Sequence, residues 1–291
     1  MRLAPRWLIA ALVAIACASS MSSVAFAQEK GGKIRFGVGP LQPTPSETTK
    51  AFEPFFAYVA KKLNREFDLV ATTDWAGISV ALANEQVDVA WMGPWGYVLA
   101  NADSGVTAIA TAKYDGKPIY HAIVVCKPGS GIKAWPQDAK GKRVSFADVG
   151  STSGWLIPTA WFKTRSIDPK TYFAYSDGAT HAANEMSVAS GQVDCATDFD
   201  RDRNAMMESG KLDKAATEVV WVSDPLPNDA IAVRKGFDPT LAKRLQEILL
   251  GITEAEAKTI LPNHYTGFVA ATHQNYKMIE DAGVLVGRIK K

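Results

Sequence analysis

Val144-Ser-Phe-Ala-Asp-Val-Gly-Ser-Thr-Ser-Gly-Trp-Leu-Ile-Pro-Thr-Ala-Trp-Phe162 decides how the chain reads. It begins as a β-rich run, breaks at Gly150, offers consecutive hydroxyls in Ser151, Thr152 and Ser153, and resumes as an apolar segment of helical character. The hydroxyls therefore fall at a helix start. Free backbone N–H groups and the positive end of the helix dipole favour an anion there, and the side chains add donors of their own. Ser and Thr are also ordinary N-caps, so the stretch alone leaves a plain cap and an oxyanion site both open. A nucleophile elbow, G-x-S-x-G, needs Ser in the middle. Gly150-Ser-Thr-Ser-Gly154 has Thr152 there, which argues against a serine hydrolase.

Working outward, the chain opens with Arg2 and Arg6, an apolar run from Trp7 to about Ala18, and Ala25-Phe-Ala27. A basic start, a short apolar core and an A-x-A site describe a secretory signal peptide over residues 1–27, cleaved after Ala27. The run is too short for a membrane span, and no later run reaches the roughly 18 apolar residues a span requires. Cys17 lies near the end of that run, but the preceding Val-Ala-Ile-Ala lacks the Leu that lipidation expects. The mature product is expected to be soluble, exported to the periplasm and not inserted in a membrane.

The leader carries two Arg and no acid, so the mature part is balanced at 30 basic and 30 acidic residues. A net charge near zero argues against a nucleic-acid partner. Cys126 and Cys195 remain in the mature chain. An oxidising compartment permits a bridge, yet with this much apolar content the sequence favours two separate buried thiols. No zinc spacing and no phosphate-loop or catalytic constellation appears, so no cofactor and no enzymatic activity are expected.

Strand and helix patterns alternate: strands at 34–38, 67–71 and 87–91, helices at 46–60 and 75–84, and a turn at Gly93-Pro-Trp-Gly96. This order implies α/β architecture with parallel sheets covered on both faces. Ala83-Asn-Glu-Gln-Val-Asp-Val-Ala90 recurs as Ala189-Ser-Gly-Gln-Val-Asp-Cys-Ala196. Each copy follows a strand-loop-helix unit, so two similar lobes are expected. Segments 108–125 and 219–233 would cross between them and make a hinge and a cleft. The loops after Val38, Trp91 and Phe146 would meet there, since open α/β sheets bind ligands beyond the carboxyl ends of their strands.

Pro43-Thr-Pro-Ser46, Thr73-Asp-Trp-Ala-Gly-Ile78, Val87-Asp-Val-Ala-Trp-Met-Gly-Pro-Trp-Gly-Tyr97, Ser151-Thr-Ser-Gly-Trp-Leu-Ile-Pro158 and Leu226-Pro-Asn-Asp-Ala-Ile231 resemble the periplasmic substrate-binding proteins of phosphonate, phosphite and hypophosphite ABC importers. The wording is most similar to the hypophosphite branch. The resemblance implies a two-lobed type II periplasmic binding protein, each lobe a mostly parallel sheet flanked by helices. Residues 28–122 and 229–291 would form the first lobe and 123–228 the second. It implies a monomer that hands a small reduced phosphorus oxyanion to an inner-membrane permease. Ser151, Thr152 and Ser153 would hold the oxyanion, with Trp75, Tyr120, His181 and Asp229 completing the pocket.

Each of these has a reading of its own. Trp75 and Tyr120 fit a core equally well, but in a pocket their faces would meet P–H or methyl, which disfavours phosphate. Asp229 would repel an anion unless a P–OH donates to it, so it would select a protonated oxyanion. His181 would donate as imidazolium or as a neutral N–H. The chain keeps Ser151 and His181, as phosphite and phosphonate binders do. It has Arg201 where aminoalkylphosphonate binders place an acid, which points to a small ligand. The rival reading is a periplasmic oxyanion sensor, for example of arsenite, acting on a membrane kinase, which would require Cys126 or Cys195 to face the cleft.

Overall fold

The computed structural model describes residues 31–290. The expected signal peptide, its cleavage after Ala27 and Cys17 lie outside the described residues. Among those described, no helix is long and apolar enough to cross a membrane.

The chain runs β1 (Gly31–Val38), α1 (Pro45–Leu63), β2 (Arg65–Ala71), α2 (Trp75–Ala83), β3 (Val89–Met92), α3 (Pro94–Ser104) and β4 (Thr107–Tyr114). After β5 (Ile119–Tyr120) come β6 (Ala122–Cys126), β7 (Arg143–Ala147), α4 (Ile157–Lys163), α5 (Pro169–Tyr172), β8 (Ala174–Ala179), α6 (His181–Ser190), β9 (Cys195–Phe199), α7 (Asp200–Glu208) and β10 (Glu218–Val222). The return is β11 (Leu226–Pro227), β12 (Ala230–Val233), α8 (Pro239–Leu250), α9 (Glu254–Ile260), β13 (Tyr265–Ala270) and α10 (Lys277–Leu285).

Local chemistry sets these elements. Thr44 caps α1 by accepting the Glu47 N–H, Pro45 fits the first turn, and Asn64 ends the helix in the left-handed region. The Phe52, Phe55, Phe56 and Val59 face of α1 is buried against Phe36, Trp91 and Phe268 of the first sheet, as a 3.6-residue period requires. The expected turn at Gly93-Pro-Trp-Gly96 is instead the start of α3: Gly93 is the N-cap and Pro94 the first helical residue. Pro at that position costs no hydrogen bond, because the N–H it lacks would be unpaired anyway.

Two sheets result, ordered β13-β4-β12-β3-β1-β2 and β10-β6-β9-β7-β8. Each is parallel through three strands, β2-β1-β3 and β8-β7-β9. Beyond these the pairing turns antiparallel, where strands arrive from the crossings. The expected parallel character thus covers the strands that carry the site loops. A ribbon of β5 and β11 lies between the sheets.

The internal sequence echo has a structural cause. Arg35 on β1 grips Asp88 through its backbone N–H at 2.9 Å and Nη2 at 2.7 Å, and Arg143 on β7 grips Asp194 at the same two distances. Burial opposes ionisation of Asp88, but hydrogen bonds from Arg35 and Arg234 prevail and hold it at about 2. Each acid immediately precedes the strand, β3 or β9, that pairs in parallel with the strand carrying its arginine, so the recurring Gln-Val-Asp fixes the same register twice.

Cys126 and Cys195 form a disulfide, correcting the expectation of separate thiols. They are directly opposite each other on antiparallel β6 and β9, a pairing that separation along the chain cannot disclose. Both are fully buried, so neither offers a thiol to a ligand.

Candidate functional site

All seven residues expected in the pocket line one cavity: Trp75, Tyr120, Ser151, Thr152, Ser153, His181 and Asp229. All seven are buried. Leu41, Gly93, Phe199 and Arg201 complete the lining. The cavity is small, with about 10 Å³ open to the centre of a water-sized sphere, room for about one water molecule. A larger cavity of about 400 Å³ shares Leu41, Phe199 and Arg201 with it.

The hydroxyl run sits at a helix start, as its sequence implies. Ser151 is the N-cap, its Oγ accepting the Gly154 N–H at 3.0 Å. The first turn is wide, closed by the Leu156 N–H to the Ser151 carbonyl five residues back at 3.1 Å, a geometry common at functional sites. Pro158 has no N–H to give the Gly154 carbonyl; the Thr197 hydroxyl donates to it instead at 2.6 Å. Strand β9 thereby holds the turn from behind.

Thr152 joins the two sheet bodies. Its Oγ1 accepts the Trp95 N–H of the first turn of α3 at 2.8 Å, which leaves its own proton free for another acceptor. Trp95 Nε1 donates to the Val149 carbonyl at 3.2 Å, and the Trp75 N–H donates to Asp148 Oδ1 at 3.2 Å. A Cβ on Gly150 would lie 2.5 Å from the Ala76 nitrogen, so only glycine permits this approach. The Trp75 ring lies over Gly39, where a Cβ would meet it at 2.5 Å.

Asp229 Oδ2 accepts Trp91 Nε1–H at 3.1 Å and lies 3.8 Å from Arg201 Nη2. Burial pushes its carboxyl up, opposed by Arg201 and the Trp91 hydrogen bond. Arg201 donates to Asn228 Oδ1 at 2.6 Å, and its guanidinium lies over the rings of Tyr120 at 4.6 Å and Tyr114 at 5.2 Å. Burial and then the Asp229 carboxylate raise the Tyr120 hydroxyl, opposed by Arg201 and, less, by the Thr152 and Ser153 hydroxyls. The phenol is therefore a donor throughout the neutral range.

His181 Nε2 is 3.0 Å from Ser151 Oγ, and its Nδ1 is 3.0 Å from Asp198 Oδ1. Burial and then Arg201 push the imidazole down to about 3, so of the two states open to it, the neutral ring is the one present. Ser151, His181 and Asp198 thus stand in the order of a hydrolytic triad that the sequence did not reveal. Here, however, the serine oxygen caps a helix. Among the described residues, no group of three or more His, Cys, Asp and Glu could hold a metal ion.

Sequence reasoning noted Arg201 only as a departure from a pattern and missed Phe199, Leu41 and Gly93 as lining. Asp198-Phe-Asp-Arg-Asp-Arg-Asn204 looks like a solvated helix start, yet Asp198, Arg201 and Arg203 are buried. Only the β9-to-α7 junction, which turns this run toward the ribbon, puts them inside.

Comparison with known proteins adds an independent line. Residues 36–276 match the family described as ABC transporter, phosphonate, periplasmic substrate-binding protein. The phosphonates-binding periplasmic protein of Escherichia coli is 26% identical over 248 residues, 84% of this chain and 73% of that protein. The phosphate-import protein PhnD of Mycolicibacterium smegmatis is 24% identical over 254 residues, 79% of each chain. PhnD1 of Prochlorococcus marinus, solved in complex with methylphosphonate, superposes with a TM-score of 0.78 at 19% identity, over 88% of this chain and 99% of that one.

Proposed function

Because the chain belongs to the periplasmic substrate-binding proteins of phosphonate ABC transporters, a family of binding proteins rather than enzymes, we propose that it captures one small reduced phosphorus oxyanion. Phosphite, hypophosphite and methylphosphonate are the candidates, and an inner-membrane permease is the recipient. The leader at residues 1–27 exports the chain to the periplasm, where it works as a monomer. Of the described residues, those up to 122 and from 229 form one lobe and 123–228 the other, joined through the β5–β11 ribbon.

The observation that carries this reading is that the hydroxyl triplet and Asp229 line the same small buried cavity. Ser151, Thr152 and Ser153 donate to the anionic oxygens at the helix start. Asp229 accepts from a P–OH, so a singly protonated anion is preferred to a fully ionised one. Trp75 offers a ring face to P–H or P–CH3, neither of which needs a hydrogen-bond partner. Phosphate would place an extra oxygen there and lose hydration without a replacement. Arg201 supplies a positive charge at the same wall and disfavours aminoalkyl tails. Binding energy available only when both lobes touch the ligand drives closure. The sensor reading, which needs a thiol in the cleft, is not supported, since both cysteines are buried in the disulfide.

A thermal-shift panel tests the reading. Phosphite, hypophosphite and methylphosphonate should raise the melting temperature, an effect of about 2.7 kcal/mol at a hundredfold excess over Kd. Aminoethylphosphonate, sulfate and arsenite should not, and phosphate should do so more weakly. Stabilisation by phosphate above all three reduced anions would overturn the ligand assignment.

A further inference from the structure

The Ser151 hydroxyl has one proton and more than one claimant for it. One of its lone pairs is taken by the Gly154 N–H at 3.0 Å, and His181 Nε2 stands 3.0 Å away. If Nε2 bears no proton, Ser151 must donate to it and turns a lone pair toward the cavity, where it would repel an anion. If Nε2 carries the proton, His181 donates and the Ser151 proton is released toward the ligand. The tautomer of one buried ring therefore decides whether the first hydroxyl of the triplet attracts or repels the substrate.

The tautomer is settled on the far side of the ring. Nδ1 is 3.0 Å from Asp198 Oδ1, within reach of it but outside hydrogen-bond geometry. Among the described residues no other partner reaches Nδ1. Asp198 is fully buried on β9, with the Glu185 carboxyl of α6 and the Asp202 carboxyl of α7 close by. The cations facing this cluster come from α7 and from Lys211 just beyond it, which acts on Asp202. Arg203 Nε is 3.7 Å from Glu185, while Arg201 is turned toward Asn228 and Asp229. Two buried acids, Asp198 and Glu185, and the half-buried Asp202 beside them cannot all be ionised with one close guanidinium and one exposed lysine for balance. Burial, followed by the charges of Asp202 and Glu185, pushes the Asp198 carboxyl well above the usual range. Room for the ring itself is made at Gly154, where a Cβ would meet His181 Cε1 at 2.8 Å.

We propose that Asp198 is a positioning residue for oxyanion binding: its carboxylic acid donates to Nδ1 of His181, which keeps the ring proton on Nε2 and turns the Ser151 hydroxyl proton toward the bound anion. The order of atoms is that of a hydrolytic triad with its polarity reversed, since there an ionised acid accepts Nδ1–H and the serine donates to the ring. The inference deepens the oxyanion-binding reading and rests on it for its consequence, though the tautomer can be measured without any ligand.

The test is the long-range ¹H–¹⁵N spectrum of histidine-labelled protein, with His181 identified by substitution, for the wild type and for Asp198→Asn and Asp198→Ala. The wild type is expected to show Nε2–H and an unprotonated Nδ1 at neutral pH. Asp198→Asn, whose amide can donate to Nδ1, should keep that tautomer and bind methylphosphonate within about threefold of wild type, a change of under about 1 kcal/mol. Asp198→Ala should lose the tautomer and weaken binding by about tenfold or more. An Nδ1–H tautomer in the wild type overturns the proposal, as does a folded Asp198→Asn that binds as poorly as Asp198→Ala. Failure of the wild type to bind any phosphorus oxyanion would instead count against the functional reading, and the ring spectrum would still decide the relay.

Discussion

Thr152 Oγ1 accepts the Trp95 backbone N–H at 2.8 Å, so a side chain that follows β7 of the second sheet caps the helix that follows β3 of the first. One hydroxyl thus ties the two sheets together through its lone pair and, in the proposed site, would meet the ligand through its proton. Thr152→Val, which keeps the shape and removes both, should weaken oxyanion binding by about 1–3 kcal/mol. Calorimetric titration measures the loss; wild-type affinity would remove Thr152 from the site.

At Gly150 the two bodies come close together. Its backbone conformation is open to other residues; what excludes a side chain is the α2 backbone, 2.5 Å from where a Cβ would stand. Gly150→Ala should hold the lobes apart and weaken binding by about 1–3 kcal/mol, with each lobe still folded. Small-angle scattering should show the variant remaining extended at ligand concentrations that compact the wild type.

In the proposed site Asp229 would govern charge selection. Wild-type affinity for methylphosphonate should fall by up to about tenfold per pH unit once the ligand loses its second proton, because the resulting dianion meets a carboxylate with nothing to donate. Asp229→Asn has a neutral side chain that can donate as well as accept, so titrations at rising pH should show a flatter profile. An equally steep fall in the variant would assign the selection elsewhere.

His264 forms a latch, with Nδ1 2.9 Å from Asp115 and Nε2 2.8 Å from Glu208 on α7. The Asp115 hydrogen bond, against burial and aided by Glu208, raises the imidazole above its ordinary 6.5. A raised folded value means that the stabilisation is complete below about 6.5 and is lost as pH rises through the folded value. Melting temperature should decline over that window, and Glu208→Gln should reduce the decline. An unchanged slope in the variant would show that the latch contributes nothing.

Much of this fold was legible because its signals are local. The hydroxyl run after Gly150, the strand-loop-helix units and the repeated Gln-Val-Asp each state a backbone requirement within a few residues, and the structure places them as expected. What stayed hidden depends on long-range pairing. The Cys126–Cys195 bridge exists because β6 lies antiparallel to β9 in one register. Arg201 enters the pocket because β9 ends beside the ribbon that carries Tyr120, and the Ser151–His181–Asp198 line needs three separate elements. One miss was avoidable, since Gly93-Pro94 is an ordinary helix opening as well as a turn.

The most direct measurement is a crystal structure of the protein with methylphosphonate. The account predicts phosphorus in the small cavity, its oxygens within hydrogen-bond distance of the Ser151, Thr152 and Ser153 hydroxyls, its P–OH on Asp229 and its methyl against Trp75. Ligand bound in the larger outer cavity with the hydroxyl triplet untouched would contradict it.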